Sequence, residues 1–120
     1  MSKQETFDRV VGFLVKQGKK SYNPESAPAS PTCMYRSPTG MKCAVGVLIP
    51  DKKYKPEIEG KYVGAKEVLE LVPQRHARNR SLLIDLQDAH DKCPRVAFVR
   101  GFKSRAKKVA KEHNLAWKFD

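Results

Sequence analysis

The chain has 120 residues, which is enough for one domain that buries a core without disulfide bridges. Hydrophobic residues make up 40% of it and charged residues 31%, a balance that excludes an intrinsically disordered chain and is typical of a well-solvated globular protein. The 24 Lys and Arg outnumber the 13 Asp and Glu, and the net charge of +11 creates a field that attracts polyanions.

The apolar residues and the cysteines both point to the cytoplasm. No apolar stretch approaches the roughly 20 residues that a membrane-spanning helix needs, and the chain opens with the polar segment MSKQETFDR. The cysteines Cys33, Cys43 and Cys93 have no repeating spacing, which argues against a disulfide framework and for reduced thiols. We therefore expect a single cytoplasmic domain over residues 1–120 with no membrane partner.

The first predicted element is an amphipathic helix over residues 3–17. Ser2 and Glu5 have the spacing of a capping box, and Gly18 is placed to end the helix in a left-handed conformation. Apolar side chains recur between them at helical spacing: Phe7, Val10, Val11, Leu14 and Val15. This pattern predicts one buried stripe and one solvent-facing side.

A surface loop and a β-hairpin are predicted next. Residues 21–32 are rich in serine and proline and lack apolar periodicity, which favours an exposed connection. Two short segments, 33–36 and 41–45, flank a Ser-Pro-Thr-Gly sequence that suits a type I turn, so they predict the two strands of a short hairpin. The polar segment 51–64 predicts loop structure. Its acidic side chains are expected to be solvated or paired with neighbouring lysines: Asp51, Glu57 and Glu59.

Three further helices are predicted in the second half of the chain. They cover residues 65–72, 81–92 and 95–113, with Pro94 opening the last one and Asn114 capping it. Alternating apolar residues then predict a tail that docks on the core: Leu115, Trp117 and Phe119. The fold class that we predict is α+β, a mostly helical small domain of about four helices with one short β-hairpin.

The last predicted helix combines a buried stripe with a cationic surface. Val99, Phe102, Ala106 and Val109 share one face at helical spacing. The segment 95–111 contains seven cations and no acid, more than solubility requires. They are Arg95, Arg100, Lys103, Arg105, Lys107, Lys108 and Lys111. Folding is expected to display an outward ridge of Arg100, Lys103, Lys107 and Lys111, with Lys108 and Arg105 beside it. The aromatic residues Phe98, Phe102, Trp117 and Phe119 are expected nearby.

The middle of the chain resembles a known group of proteins. The strings that carry the resemblance are Cys33-Met-Tyr-Arg36, Lys42-Cys-Ala-Val-Gly-Val-Leu-Ile-Pro-Asp51, Glu59-Gly60 and Leu86-Gln-Asp-Ala-His-Asp91, together with Tyr54. This pattern of CxYR, KCAVGxLIPD, EG and LQxAHD resembles a family of small uncharacterised bacteriophage and bacterial proteins. The resemblance implies a phage accessory protein in the host cytoplasm and implies no particular chemistry. The chain departs from the pattern in its high basicity and in Cys93.

Two functions of different classes follow from the charge. The first is nucleic-acid binding, DNA or RNA, mainly through phosphate contacts of the C-terminal helix, with support from Arg75, Arg78 and Arg80. The second is a host-takeover or anti-defence protein that binds and inhibits an acidic surface of a host protein. The chain has no Gly-rich phosphate loop, HExxH or GxSxG motif, so we expect no enzyme activity.

A thiol enzyme or a zinc module is the weaker alternative. Cys33, Cys43, His90 and Cys93 offer a Cys3His ligand set, but the nine residues between the first two thiols do not match a zinc knuckle, so no cofactor is expected. Thiol catalysis would need Cys43 as the nucleophile, His90 as its base and Asp91 to orient the imidazole ring of His90. Because His90 and Asp91 are adjacent on one helix, Asp91 is predicted to point away from that ring. His90 is expected to donate to a backbone carbonyl instead. The other histidine in a basic stretch, His76, is predicted to lie on the surface.

Overall fold

The computed structural model describes residues 3–26 and 32–120. The described ranges contain five α-helices: α1 Lys3–Gln17, α2 Lys66–Leu69, α3 Gln74–Ala77, α4 Arg80–Asp91 and α5 Phe98–Glu112. Three short 3₁₀ turns lie between α1 and α2, at Gly46–Leu48, Asp51–Lys53 and Pro56–Ile58. No β-strand or sheet occurs among these residues, so the α+β class with a hairpin is wrong, and the domain is helical.

The predicted hairpin forms its turn without forming its strands. Ser37 and Gly40 close the turn with a backbone hydrogen bond of 3.0 Å, and Arg36 and Lys42 form one isolated antiparallel bridge. Side chains form hydrogen bonds with the backbone N–H and C=O groups that two longer strands would pair with each other. Glu59 accepts the N–H groups of residues 35 and 36, and Gln17 both donates to and accepts from the backbone of Lys42. Residue 43 then leads directly into the first 3₁₀ turn.

Helix α1 matches its prediction and lies at the centre of the fold. Its predicted stripe is buried at Phe7, Val10, Val11 and Leu14, and it packs against both α4 and α5. Gly18 ends the helix at φ +75°, where its N–H bonds to the carbonyl of Leu14. The predicted capping box includes residue 2, which lies outside the described residues. The apolar periodicity was sufficient to predict this helix because α4 and α5 pack over its apolar stripe.

Helices α4 and α5 complete the core. Leu82, Leu83 and Leu86 of α4 are buried, as are Phe98 and Phe102 of α5, whose rings stack 5.5 Å apart. Helix α5 begins at residue 98 and not at 95, because residue 97 adopts a left-handed conformation with φ 53°. Pro94 therefore does not open the helix. The predicted cap at Asn114 is confirmed by its φ of 57°.

The remaining elements cover the sides of this three-helix core. The predicted helix at 65–72 is shorter, and α3 follows it without having been predicted. The C-terminal tail packs against the core, with Trp117 in edge contact with Phe7 at 6.2 Å and with Phe119 at 5.4 Å. No helix in the described part of the chain combines the length and apolar character that crossing a membrane requires.

Candidate functional site

Four cations of α5 form one outward row, which we call the cationic strip: Arg100, Lys103, Lys107 and Lys111. Their spacings of three, four and four residues place them on one helix face, opposite the buried stripe. Lys103 is half-buried and the other three are exposed. At a rise of about 1.5 Å per residue, the strip is about 16 Å long.

Carboxylates of the same chain neutralise little of this strip. Lys107 lies 3.5 Å from the carboxylate of Asp120, which also accepts a hydrogen bond of 2.7 Å from the Trp117 indole. The indole bond first, and then Lys107, lower the pKa of Asp120. Within the described ranges, neither Arg100 nor Lys111 has a carboxylate at ion-pair distance.

The other predicted cations are not part of the strip. Arg105 turns back to the carbonyl of Gly101, and Lys108 lines a groove between α4 and α5 that also contains Asp85, Asp88 and Glu112. Arg95 precedes α5 and lies over the Tyr22 ring at 5.0 Å. The supporting cations lie in or next to α3 and α4, and all three are exposed: Arg75, Arg78 and Arg80. The structure thus divides the ten predicted residues into several surfaces.

The aromatic residues near α5 are not available to stack on bases. Phe98 and Phe102 are buried in the core, and Trp117 and Phe119 are half-buried against α1. The burial of Phe102 and the packing of the tail follow their predictions, because the same periodicity that displays the cations turns the apolar residues of α5 inward.

A second cluster joins the ends of two motif strings. The sulfur of Cys33, a ring nitrogen of His90 and a carboxylate oxygen of Asp91 lie within 4.8 Å of one another. Lys20 lies beside them, buried, and its ammonium donates to the carbonyls of Asp91 and Cys93 at 2.7 Å each. Cys33 and Asp91 also line an open groove of about 660 Å³.

The hydrogen bonds of His90 determine which of its nitrogens carries the proton. The backbone N–H of Ser21 donates to Nε2 at 3.0 Å, so Nε2 is the acceptor and the proton lies on Nδ1. Nδ1 then donates to the Asp91 carboxylate at 2.8 Å. Two predictions are wrong here. Asp91 does orient the ring, because its side chain folds back to it, and His90 does not donate to a backbone carbonyl. Burial lowers the pKa of His90, against the opposing effect of Asp91.

This bonding fits a neutral imidazole that donates to the Asp91 carboxylate better than it fits a metal site. A cation bound at Nδ1 would force the proton onto Nε2, where it would face the Ser21 N–H. The ammonium of Lys20 beside Cys33 adds electrostatic repulsion. Of the four predicted zinc ligands, Cys33 and His90 are brought together, whereas Cys43 and Cys93 are engaged with Gly46 N–H and with the carbonyl of residue 98.

The thiols are protonated at neutral pH. Burial, and then the charge of Asp91, raise the pKa of Cys33 to about 12. Cys43 is fully buried, and that burial likewise raises the pKa of its thiol. Because the thiolate is the nucleophilic form, neither residue has the environment of a reactive cysteine.

The remaining motif residues form a polar network, which we call the Glu59 network: Tyr35, Arg36, Asp51, Tyr54 and Glu59. Glu59 accepts the N–H groups of Tyr35 and Arg36, at 2.8 and 3.0 Å, and the hydroxyl of Tyr54. Arg36 bonds to Asp51 at 2.7 Å and lies over the Tyr54 ring at 4.8 Å. The expectation of a solvated or lysine-paired carboxylate is therefore wrong for Glu59, whereas Asp51 is exposed, as expected, and also lies 3.6 Å from Lys42. Glu57 is exposed, as expected.

Sequence reasoning missed three buried polar residues. Ser21 begins the predicted surface loop, yet it is fully buried, and its hydroxyl donates to the carbonyl of Met34. Lys20 is buried as described above. His76 is only 2% exposed, contrary to its predicted surface position, because α3 packs it against Thr6 of α1. No local pattern marks these residues, since their partners are 13 to 73 residues away.

Comparison of the chain with protein-family models, with curated proteins and with solved structures finds no match. The resemblance to phage proteins therefore stays a prediction, and function has to be argued from the geometry of the side chains.

Proposed function

We propose that the protein binds nucleic acid through the phosphates, using the cationic strip of α5. The observation that carries the proposal is the single outward row of Arg100, Lys103, Lys107 and Lys111 on a helix whose opposite face is buried. Packing of that buried face fixes the helix, so the four cations stay on one side. A rigid row of this kind matches a polyanion at a lower entropic cost than four dispersed side chains.

Phosphate contact accounts for the row better than base recognition does. The aromatic rings next to α5 are buried or half-buried, so they offer no stacking platform. Lysines bind phosphate as point charges and read no sequence. We therefore expect DNA and RNA of any sequence to bind, with an affinity that counterion release controls.

Salt dependence tests this proposal directly. If the strip contacts four phosphates, the logarithm of the affinity for duplex DNA should fall with the logarithm of salt with a slope of about −3.6, so that a fourfold rise in salt weakens binding about 150-fold. The measurement is fluorescence anisotropy of a labelled duplex at several salt concentrations.

A matched pair of variants locates the contact. Lys107→Gln/Lys111→Gln removes two charges from the strip and should reduce the steepness of the slope by about 1.8. Lys52→Gln/Lys53→Gln removes the same charge from exposed lysines in the turn Asp51–Lys53 and should leave the slope unchanged. Equal effects of the two pairs would mean that net charge alone attracts DNA, and the proposal would fail.

A pull-down from nuclease-treated lysate tests the competing hypothesis. A nucleic-acid binder loses its captured material after nuclease treatment. Retention of one acidic host protein, together with its loss in Lys107→Gln/Lys111→Gln, would overturn the proposal in favour of a protein partner on the same strip.

A further inference from the structure

Pocket-lining side chains on the side of α1 that faces α3 form an unassigned cationic site. The pocket has a volume of about 260 Å³, and its lining includes Arg9, Lys42, Arg75 and His76, with Asp51 as the one acidic residue. Asp51 is held by Arg36 at 2.7 Å and by Lys42 at 3.6 Å, so it does not form an ion pair with either arginine of the lining. Neither Arg9 nor Arg75 has a carboxylate at ion-pair distance among residues 3–26 and 32–120.

His76 supplies a second and independent feature of this pocket. Its Nδ1 lies 2.7 Å from the hydroxyl oxygen of Thr6, whereas its Nε2 is buried and has no hydrogen-bond partner among the described residues. A buried nitrogen without a hydrogen-bond partner destabilises the fold, and such atoms are uncommon in proteins. His76 lines the pocket, and Nε2 is the ring nitrogen that does not bond to Thr6.

The order of donors around Thr6 favours a proton on that free nitrogen. The side-chain amide of Asn79 donates to the Thr6 oxygen at 3.4 Å, so the Thr6 hydroxyl proton is available for Nδ1. In the tautomer in which Nδ1 accepts that proton, the ring proton lies on Nε2. A buried N–H donor in a pocket that two arginines also line is suited to an anionic oxygen.

We propose that Arg9, Arg75 and Nε2–H of His76 form a binding site for a single phosphate group. Two guanidinium groups and one N–H donor match the oxygens of a phosphate better than a planar carboxylate, because a phosphate presents acceptors in three directions. This site does not depend on the cationic strip, and a free phosphate or the terminal phosphate of a nucleotide carries the same chemistry.

The test uses inorganic phosphate and NMR of the histidine ring protons. Phosphate added at pH 7 should shift the His76 ring resonances saturably, while chloride at the same ionic strength should not. Bound phosphate should also raise the titration midpoint of His76, whose pKa is lowered in the free protein by burial and by Arg75 and Arg9, against the opposing charge of Glu5. Equal shifts with chloride would mean that ionic strength, and not phosphate binding, moves the His76 resonances, and they would overturn the proposal.

Variants separate this site from the strip. Arg75→Gln changes an exposed residue that does not endanger folding, and it should weaken phosphate binding about tenfold, whereas Arg100→Gln removes the same charge from α5 and should have no effect. Unchanged binding in Arg75→Gln would contradict the site even if the ring shifts.

The same comparison identifies the source of the phosphate. If short oligonucleotides with a 5′-phosphate shift His76 and the same oligonucleotides with a 5′-hydroxyl do not, the ligand is a nucleic-acid end. If inorganic phosphate alone shifts it, the ligand is a small anion, and the pocket stands even when the strip proves not to bind nucleic acid. If none of the three produces a saturable shift, the pocket is not a phosphate site.

Discussion

The strip on α5 and the Glu59 network use their polar side chains in opposite ways. On the strip, the charged ends of Arg100 and Lys111 point into solvent and have no carboxylate partner within the part of the chain that the structure describes. In the network, Glu59 alone satisfies two backbone N–H groups and a hydroxyl. The residues that carry the resemblance, such as Glu59, therefore mostly hold the chain itself together. The charged side chains that are free to contact a partner lie outside those motifs.

This difference makes stability the first test. Changes in the motif region should destabilise the fold in proportion to the contacts that they break. Neutralising the strip should leave the free energy of unfolding within about 0.5 kcal/mol of the starting protein, as is usual for exposed positions. A large loss of stability in Lys107→Gln/Lys111→Gln would remove the distinction between the two regions.

The largest expected effect is that of Gly46→Ala. A Cβ at this position would lie 2.1 Å from the carbonyl oxygen of Tyr35, a backbone atom that cannot move away freely. We expect a loss of about 3 kcal/mol in the free energy of unfolding, measured by urea denaturation. Gly12→Ala is the control, because its Cβ would lie 3.4 Å from the Phe119 ring and the change should stay within about 1 kcal/mol. Equal effects would show that the approach of residues 35 and 46 is not required.

Glu59→Gln should have an intermediate effect. The amide retains one acceptor oxygen but places an NH2 group against donors that the carboxylate satisfies. We expect a loss of about 2 kcal/mol by urea denaturation, because a buried donor is left without its partner. Glu57→Gln changes an exposed carboxylate in the same segment and should have no measurable effect. A neutral result for Glu59→Gln would mean that water replaces the carboxylate.

The smallest expected effect is a pH dependence that originates at His90. Burial lowers the pKa of His90 in the folded protein, so below the ordinary value of about 6.5 the unfolded chain binds more protons than the folded one. Stability should therefore be full above pH 7 and fall on acidification below about 6.5, by at most about 1.4 kcal/mol per pH unit. Urea denaturation between pH 7.5 and 5.5 measures this.

His90→Gln should flatten that pH profile. The slope that remains belongs to His76, whose pKa is also lowered by burial and by the neighbouring arginines. If stability rose on acidification, the protonated ring would be the favoured partner of Asp91, which would exclude the neutral imidazole described above.

Local pattern predicted the long elements well and the chemistry of the middle segment poorly. Helix α1, the second long helix at Arg80–Asp91 and the left-handed cap at Asn114 follow from periodicity and from residues that tolerate positive φ. The hairpin was wrong although its turn forms, because Glu59 and Gln17 take the backbone partners that strands would have used. Those competitors lie 23 to 25 residues away along the chain, beyond the reach of a turn motif.

The sequence by itself determined the three long helices, the buried stripes of α1 and α5 and the outward row of four cations on α5, because a period of 3.6 residues fixes which side chains share a face. Only the tertiary structure decided the fate of the isolated polar residues. Ser21, His76 and His90 are buried because segments that are distant in sequence close around them and supply hydrogen bonds to them. A polar group can be buried without a large energetic cost where another segment provides a hydrogen-bond partner. Which segment lies close enough depends on tertiary packing, which local sequence does not encode.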